Sequence, residues 1–326
     1  MINYTLSKQL IKNTNHFLNL SYYSFFHKLL QKKGTYYGWG RKPSGLKAIE
    51  LAKRHHTSFV LLEDGFIRSI GLGVDGSPSF SLIEDDVGIY YDATAPNKLE
   101  NILNTYDFTS DTKLMADAER AIELIRKHHI SKYNNATLVD NAFCKKYGLG
   151  EQKSVLVIAQ TAGDASLEYG MLDTYSTDEM IHAAIAENPD AQVYLKVHPD
   201  VLSGKKKSDI DIAKAQKHCL VIEENVNPVS LLKYFDKVYT KTSGMGFEAL
   251  LCGCECVCFG MPFYAGWGIT DDRSSCPRRK AKRTVKEVFA AVYILYSRYY
   301  NPYKKRPSDI FDVINEIRIQ RNKLIK

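Results

Sequence analysis

The 326-residue sequence predicts an α/β fold made of two Rossmann-like domains with a ligand cleft between them. The length suits two domains better than one compact core. In the second half, apolar runs of strand length alternate with helical patterns, as in parallel sheets covered by helices on both faces. The first half alternates less regularly but contains buried strands of the same kind. We place the domains at residues 1–150 and 151–283, with C-terminal helices over 284–326 that pack back across both.

In the first domain, residues 1–33 have apolar side chains at helical spacing and lysines near the end, which predicts a helix. This helix could pack on its own domain or lie on a membrane surface. Ser44 is a candidate N-cap for a second helix that runs to His55. The predicted strands and helices that follow are strands at 58–62, 79–83 and 88–91, and helical patterns over 98–127.

The second domain begins after a polar stretch at residues 131–150. The predicted strands are 155–159, 192–197, 220–222, 237–239 and 256–259, and the predicted helices are 177–187, 229–234, 246–251, 284–300 and 308–324. Ligands bind at the carboxyl ends of strands in open α/β sheets. The loops that follow these strands are therefore where we look for chemistry.

The net charge of +7 admits three partners: an acidic substrate, an anionic membrane surface or nucleic acid. No recognisable nucleic-acid motif supports the last. No apolar run is long enough to span a bilayer, and the N-terminus lacks a signal-peptide pattern. The odd number of cysteines, seven, favours a reduced cytoplasmic compartment. Four of them alternate at period two over residues 252–258, which is poor geometry for tetrahedral zinc, so we expect buried thiols and no metal.

Two carboxylates, Glu63 and Asp64, follow the first buried strand and precede a glycine. A half-buried carboxyl at a strand end can serve as a general acid or base. The alternative is a simple Asp-Gly turn. A third carboxylate, Asp164, follows Gln160 and Gly163 after the first strand of the second domain. It could be a nucleophile beside a backbone that a ligand can approach, or a cap for the next helix.

Three further loops complete the candidate sites. Lys196 and His198 end a strand before a proline and could both donate to a phosphate, although a lone histidine is more often structural. A hydroxyl-rich loop precedes a helix and could bind phosphate through its backbone, with an acidic side chain for ribose on that helix; its residues are Thr242, Ser243, Gly244 and Glu248. Tyr264 and Trp267 lie between glycines and could line a sugar or base pocket, or plug a domain interface.

Taken together and in this order, these segments resemble the β-Kdo transferases of capsule assembly, the KpsC type. Kdo is an acidic deoxy-octulosonic sugar. The segments that carry the resemblance are residues 37–44, 63–73, 88–94, 160–170, 196–200, 242–251 and 260–270. Proteins of that type carry two modules in tandem, and this chain has room for one. The loop from Gln160 to Ser166 is more similar to the N-terminal module.

The resemblance implies a GT-B-like architecture, with CMP-Kdo on the C-terminal domain and the acceptor on the N-terminal one. It implies retention of configuration without a cofactor or metal. Asp164 would then be the nucleophile, Glu63 or Asp64 would handle the acceptor proton, and Arg68 would pair with the Kdo carboxylate. The CMP phosphate would be held by Lys196, His198 and the loop of Thr242, Ser243 and Gly244, and ribose by Glu248. Gln160 and Gly163 would also bind the donor CMP-Kdo.

The implied partners are CMP-Kdo, a Kdo-containing glycan or glycolipid, and capsule-assembly proteins, with peripheral contact to an anionic membrane and no nucleic acid. Three other classes stay open at this point. One is another sugar-nucleotide enzyme such as a sialyltransferase or an epimerase, since the Asp-Gly and His-Pro loops are also similar to bacterial sialyltransferases. The others are a nucleic-acid binder, suggested by net charge alone, and a non-catalytic scaffold of capsule export.

Overall fold

The structure is a computed structural model that describes residues 2–171, 173–197, 201 and 207–324. The chain divides into two compact units. Unit 1 comprises Met1–Ala121, Lys132–Asn134 and Phe289–Lys326, and unit 2 comprises Ile122–Ser131 and Asn135–Val288. Residues 135–150 therefore group with the second unit, and the last 38 residues return to the first.

Unit 1 is built on a seven-stranded sheet with the order β13-β12-β5-β4-β3-β1-β2. The bounds are β1 Asn3–Thr5, β2 Ser21–Tyr22, β3 Thr35–Trp39, β4 Phe59–Asp64, β5 Ser81–Asp85, β12 Ser297–Asn301 and β13 Arg306–Ser308. The first four strands pair in parallel, whereas β5, β12 and β13 join antiparallel. The less regular pattern of the first half thus reflects a mixed sheet, and the predicted α/β class is confirmed.

The first 33 residues are not one helix, as the spacing of their apolar residues predicts. They form β1, helix α1 (Lys8–Thr14), β2 and helix α2 (Phe25–Leu29). Two serines explain the division, because each one caps a new helix start: Ser7 accepts from the amide of Leu10 at 3.1 Å, and Ser24 forms a capping box with His27. Local capping therefore outweighs the apolar periodicity.

The next helix, α3, runs over Pro43–His55, and its N-cap is Lys42 rather than the predicted Ser44. Proline favours the first helical position, since its missing amide hydrogen has no partner to lose there and its φ is already helical. The Ser44 hydroxyl instead accepts a hydrogen bond from the amide of Trp39 at 3.1 Å. The serine thus fastens the end of β3 to the helix.

Residues 88–91, predicted as a strand, form turns instead, and Asp85 supplies the reason. Its buried carboxylate accepts from the amides of Val87 at 2.9 Å, Gly88 at 2.7 Å and Lys98 at 3.0 Å. The Tyr296 hydroxyl donates to it at 2.6 Å. One carboxylate therefore turns the chain after β5 and ties in both the next helix and the C-terminal segment.

The C-terminal region departs from the two predicted helices. Helix α12 (Val285–Phe289) continues as a π-helix over Ala290–Leu295, and strand β12 follows where helix was predicted to residue 300. Along β12, buried and more exposed residues alternate, with Arg298 exposed between two buried neighbours. That period of two fits a strand at a sheet and not a helix. The last helix, α13 (Ile310–Leu324), matches the prediction closely.

Unit 2 contains a six-stranded sheet in the order β11-β10-β9-β6-β7-β8, with every pair parallel. Its strands are β6 Ser154–Ile158, β7 Gln192–Lys196, β8 Leu220–Ile222, β9 Lys237–Thr240, β10 Glu255–Cys258 and β11 Asp271–Asp272. Alternate residues of β6 enter opposite cores: Leu156 and Ile158 on one face, Val155 and Val157 on the other. Burial on both faces explains the continuous apolar runs in the sequence.

Helices cover both faces of this sheet. Helix α8 (Thr177–Glu187) has the predicted bounds and begins with a capping box between Ser176 and Glu179. The remaining helices among the described residues are α4 Lys98–Thr105, α5 Thr112–His128, α6 Asn141–Tyr147, α7 Ala165–Gly170, α9 Ile212–Ala215, α10 Pro228–Leu232 and α11 Met245–Cys252. Strands and helices thus alternate along unit 2.

We predict that Asp85→Asn destabilises unit 1 by about 3 kcal/mol, because the amide nitrogen cannot accept the hydrogen bonds that a buried carboxylate receives. Urea unfolding followed by circular dichroism should show a lower midpoint. The matched control is Asp86→Asn, whose exposed carboxylate lies 3.9 Å from Lys98 Nζ and should matter by less than about 1 kcal/mol. Equal midpoints for the two variants would contradict the central role of Asp85.

Candidate functional site

In unit 1, the ends of β3 and β4 bring two side chains together. The strands pair in parallel with Trp39 opposite Leu62, so Trp39 reaches the residue that follows. The indole Nε1 of Trp39 donates to Glu63 Oε1 at 3.1 Å, and the amide of Asp64 donates to the same oxygen at 3.1 Å. Glu63 is half-buried, and its carboxylate is held in place from two sides.

Gly40 allows the side chain of Tyr91 to lie close to Glu63. It has φ +37°, and a Cβ there would lie 2.2 Å from Tyr91 Oη and 3.1 Å from Glu63 Oε2. The Tyr91 hydroxyl accepts the amide hydrogen of Arg41 at 2.8 Å, and Arg41 Nε donates to Asp92 Oδ2 at 2.5 Å. The glycine of the Trp-Gly pair is therefore needed for close approach, and Tyr91 lies beside the carboxylate.

The electrostatic surroundings of Glu63 raise its pKa. Burial raises the pKa of Glu63 to about 7, opposed by the positive charge of Lys132 and assisted by the negative charge of Asp64. A carboxyl that titrates near neutrality can act as a general acid or base at physiological pH. The raised pKa therefore agrees with the acid–base role predicted for this residue.

Lys132 is a residue that sequence reasoning missed. Burial alone would lower its pKa, but the phenols of Tyr90 and Tyr133 and the carboxylates of Asp64 and Glu63 raise it above the usual value, so the ammonium stays charged. Its carbonyl oxygen accepts the amides of Arg68 at 3.0 Å and Ser69 at 3.2 Å. Residues 132–134 belong to unit 1, and they thus place the ammonium of Lys132 near the carboxylates of Glu63 and Asp64.

Asp64 and Arg68 form a pair of their own. Arg68 Nε donates to Asp64 Oδ1 at 3.1 Å, and its Nη1 donates to Ser69 Oγ and to the carbonyl of Ser77, each at 2.9 Å. The guanidinium predicted to bind the Kdo carboxylate is therefore engaged within unit 1. Because Asp64 is occupied by this ion pair, Glu63 is the better placed of the two carboxylates for proton transfer.

In unit 2, the loops after the adjacent strands β6 and β9 meet. Gln160 Oε1 accepts the amide of Thr242 at 2.7 Å, and Gln160 Nε2 donates to Thr242 Oγ1 at 3.1 Å. The hydroxyl of Ser166 lies 3.0 Å from the same Thr242 oxygen. Two predicted donor-binding residues are thus brought together, with a hydroxyl that we did not single out. The cluster lies at the carboxyl edge of the sheet, where Rossmann-like folds bind ligands.

Asp164 lies on this loop and caps helix α7. Its Oδ1 accepts the amide of Ser166 at 2.9 Å, and the residue is exposed. Gly163 precedes it with φ +80° and open space around the position of a Cβ, so the backbone there is accessible. The capping interpretation therefore describes its contacts. Exposure and proximity to Gln160 and Ser166 also leave the carboxylate accessible to a ligand.

The hydroxyl loop before α11 is largely hydrogen-bonded within itself. The amide of Ser243 donates to Thr240 Oγ1 at 3.3 Å, and Ser243 Oγ accepts from Met245 at 3.2 Å at the helix start beside Gly244. Glu248, predicted to bind ribose, is buried and accepts from Ser131 Oγ at 2.5 Å. A ligand that used this loop would have to compete with these internal bonds.

Lys196 is half-buried at the end of β7. Its Nζ donates to the carbonyls of Val197 at 2.9 Å and Glu224 at 3.0 Å. Burial lowers the pKa of Lys196 to about 8, against the opposing charge of Glu224. Both acceptors are backbone carbonyls that lie outside the Gln160 cluster. His198 lies outside the described residues, so its predicted role stays a prediction.

Tyr264 and Trp267, predicted to line a substrate pocket, are buried inside unit 2. They are 0% and 1% exposed. The Tyr264 hydroxyl donates to the carbonyl of Ser243 at 2.6 Å, and Trp267 Nε1 donates to that of Phe263 at 2.9 Å. Both side chains are thus packed within unit 2, and their predicted role in a substrate pocket stays a prediction.

The alternating cysteines do not share one strand: Cys252 ends α11, and only Cys256 and Cys258 belong to β10, with their sulfurs 3.9 Å apart. Within residues 2–171, 173–197, 201 and 207–324, no three His, Cys, Asp or Glu side chains are arranged to hold a metal ion. Over the same ranges, every helix is too short or too polar to cross a bilayer.

Two solved structures from Thermosulfurimonas dismutans are similar to the chain over nearly its whole length. The first, a KpsC beta Kdo 2,4 transferase, is 44% identical with a TM-score of 0.85 and covers 97% of this chain and 98% of that one. The second, a KpsC beta Kdo 2,7 transferase, is 30% identical with a TM-score of 0.73 and covers 100% and 99%. The predicted resemblance and the GT-B-like class are thereby confirmed.

Curated relatives agree with these likenesses. The capsule polysaccharide modification protein LipA of Neisseria meningitidis is 42% identical over 306 residues, which are 91% of this chain and 43% of LipA. The lipopolysaccharide-processing protein LpsZ of Rhizobium meliloti is 38% identical over 259 residues, 78% of this chain and 58% of LpsZ. The chain thus spans about half the length of the curated relatives it matches. Residues 36–299 match the family described as capsule polysaccharide biosynthesis protein, and the chain belongs to that family.

Proposed function

We propose that this chain is a retaining glycosyltransferase that transfers Kdo from CMP-β-Kdo to a glycan or glycolipid acceptor in capsule polysaccharide biosynthesis. The observation that carries the proposal is the likeness, over the whole chain, to two Kdo transferases at 44% and 30% identity. The tuned carboxyl of Glu63 and the polar cluster around Gln160 support it, because both suit a transfer reaction. Carboxyls with a pKa raised toward neutrality cluster at functional sites.

In the proposal, unit 2 binds the donor. Gln160, Ser166 and Thr242 present an amide and two hydroxyls at the carboxyl edge of its sheet, and such groups suit a sugar nucleotide. The CMP phosphate is held by Lys196, His198 and the loop of Ser243 and Gly244, which stabilise the leaving group electrostatically. No metal or other cofactor is needed in this scheme.

The first step is a displacement at the anomeric carbon of Kdo. A carboxylate oxygen of Asp164 attacks this carbon, the bond to the CMP phosphate oxygen breaks, and CMP leaves with the electron pair. This step inverts the configuration and forms a glycosyl ester on Asp164. Retention then requires a second inversion, as in retaining glycosidases. The exposed position of Asp164 beside Gly163 supports this role.

The second step uses unit 1. The carboxylate of Glu63 takes the proton of the acceptor hydroxyl as its oxygen attacks the anomeric carbon, and the ester bond to Asp164 breaks. Trp39 and the Asp64 amide orient the base, while the positive charge of Lys132 limits the rise in the pKa of Glu63 that burial causes. Arg68 fixes Asp64 in this scheme, and its pairing with the Kdo carboxylate stays a prediction.

The proposal is tested by incubating the protein with CMP-Kdo and a Kdo-terminated acceptor and following transfer by mass spectrometry. We expect kcat/KM to rise with pH to a plateau above about 7, because the base must be ionised and the pKa of Glu63 is about 7. Glu63→Gln should lower kcat by at least about 100-fold. Lys132→Met should move the rising limb to higher pH, since removing the cation raises the pKa of Glu63 further.

Glu50→Gln is the matched control for these variants, because Glu50 is an exposed carboxylate of the same unit, and its profile should equal that of the parent chain. A product that is α-linked, or a pH profile that Lys132→Met leaves unmoved, would contradict the proposed chemistry. Absence of transfer by a folded parent protein from any CMP-sugar of a panel would refute the function itself.

The donor can be tested separately from catalysis. CMP should raise the melting temperature, because a ligand that binds only the native state stabilises it. At a CMP concentration of about 100 times Kd, the stabilisation is about 2.7 kcal/mol. Thr242→Val, which removes the hydroxyl that joins Gln160 and Ser166, should reduce the shift, while the exposed Thr109→Val should not. Stabilisation by UMP or UDP but not by CMP would exclude a CMP-sugar donor.

Asp164 is best tested by trapping the ester, because Asp164→Ala should abolish transfer whether the residue is a nucleophile or a cap for α7. Intact-protein mass spectrometry of Glu63→Gln with CMP-Kdo should show one added Kdo, since the slowed second step lets the adduct accumulate. Peptide mapping should place it on Asp164. The matched control is Asp173→Asn, a nearby carboxylate that should leave the adduct unchanged. An adduct on another residue, or efficient transfer by Asp164→Ala, would overturn the assignment.

A further inference from the structure

The short helix α2 exposes four large apolar side chains. Phe25 is 74% exposed, Phe26 71%, Leu29 67% and Leu30, which follows the helix, 66%. Scattered single apolar residues are normal at a protein surface, but adjacent ones at this exposure form a patch that water solvates poorly. We call these four residues the α2 tip. The two rings also contact each other, with centroids 6.3 Å apart.

The base of the α2 tip is held firmly by its neighbours. Tyr23, the residue before the N-cap, is buried, and its ring meets those of Tyr4 at 5.2 Å and Tyr36 at 5.3 Å. The capping box between Ser24 and His27 closes the first turn. The exposed apolar side chains of the α2 tip therefore belong to a helix whose start is held by packing and by a capping box.

Positive charge is concentrated in the same part of the chain. The first 49 residues contain eight Lys or Arg and no Asp or Glu. Since the whole chain has 44 basic and 37 acidic residues, the remainder has 36 basic and 37 acidic and is nearly neutral. Lys28 lies within α2, and Lys32 and Lys33 follow it directly. The whole excess charge of the protein therefore belongs to the segment that carries the α2 tip.

A depression lined by both apolar and basic side chains adjoins the tip. It has a volume of about 200 Å³, and its lining includes Phe25, Lys28, Lys47 and Arg54. Lys47 and Arg54 share one carboxylate, Glu50, so the three cations exceed the single acid that pairs with them. A depression of this charge beside an apolar tip fits a phosphate headgroup whose acyl chains lie next to the phenylalanines.

We propose that the α2 tip docks this protein on an anionic lipid bilayer. Phe25, Phe26, Leu29 and Leu30 insert at the boundary between headgroups and acyl chains, and the surrounding lysines meet lipid phosphates, as in interfacial amphipathic helices. An exposed apolar tip with cations beside it suits a deformable anionic surface better than a protein groove of matching shape. The inference does not rest on the transferase proposal, since it uses no residue of either candidate site.

The test is co-sedimentation of the full chain with vesicles of phosphatidylcholine alone or of an equal mixture with phosphatidylglycerol. We expect binding to the mixed vesicles, weakened by salt because exposed charges are screened. Phe25→Ser with Phe26→Ser should lower the partition coefficient by about tenfold or more. Replacing Lys28, Lys32 and Lys33 by Gln should lower it about 100-fold, from roughly fivefold per lysine near the surface.

Matched controls separate the tip from general surface effects. Leu138→Ser removes an apolar residue that is 40% exposed elsewhere. A second control replaces Lys113, Lys145 and Lys217, which are exposed lysines outside the segment, by Gln. These variants should bind nearly as the parent does, and circular dichroism should show all of them folded. A Phe26→Trp variant should show blue-shifted emission with mixed vesicles only, and Leu138→Trp should not.

Three outcomes would overturn the proposal. One is equal binding to both kinds of vesicle, and another is binding that the Phe25→Ser and Phe26→Ser pair leaves unchanged. The third is no vesicle binding together with a concentration-dependent dimer that the same pair abolishes, which would assign the tip to a second copy of the chain. Since the assay contains neither CMP-Kdo nor acceptor, its result is independent of whether transfer occurs.

Discussion

Parallel pairing of adjacent strands is the constraint on which both candidate sites depend. Strands that run the same way end at the same edge, so the residue that follows one strand meets the residue that ends or follows its neighbour. In unit 1 this pairing places the indole of Trp39 on Glu63, and in unit 2 it places Thr242 on Gln160. Residues far apart in sequence thereby become direct partners, while the chemistry of each site is left to the loops.

The sheet edges of unit 1 and unit 2 carry different chemical groups. At the end of β4, a half-buried carboxyl lies near a cation, Lys132, and a second carboxylate, Asp64, which is neutralised by Arg68. Burial then dominates, so Glu63 keeps its proton to higher pH than an ordinary glutamate. At the end of β6, the groups are neutral amides and hydroxyls around an exposed Asp164. One edge thus suits proton transfer, and the other suits recognition of a polar ligand beside an accessible carboxylate.

The second unit was predictable because its signals are local and consistent: strands buried on both faces, the exact bounds of α8, and a capping box at Ser176. What escaped prediction depends on contacts between distant parts of the chain. Lys132 joins the carboxylates only because residues 132–134 return to unit 1. Trp267 is buried because Arg279 packs on its ring, 5.8 Å from the centroid, and donates to nearby carbonyls. A glycine-rich aromatic loop has the same sequence pattern in a pocket and in a core.

The consequences of the net charge also depend on where in the chain the charged residues lie, and not on composition alone. A value of +7 spread over the surface would weakly favour any polyanion. Here the excess belongs to the first 49 residues, and a basic side chain at the Glu63 site, Arg41, is already paired with Asp92. The composition therefore gives two separable properties. One is a nearly neutral remainder of the chain, and the other is a cationic N-terminal segment that carries the exposed apolar side chains of the α2 tip. Substitutions in one should leave the other intact, because exposed charges separated by more than about 10 Å interact weakly at physiological ionic strength.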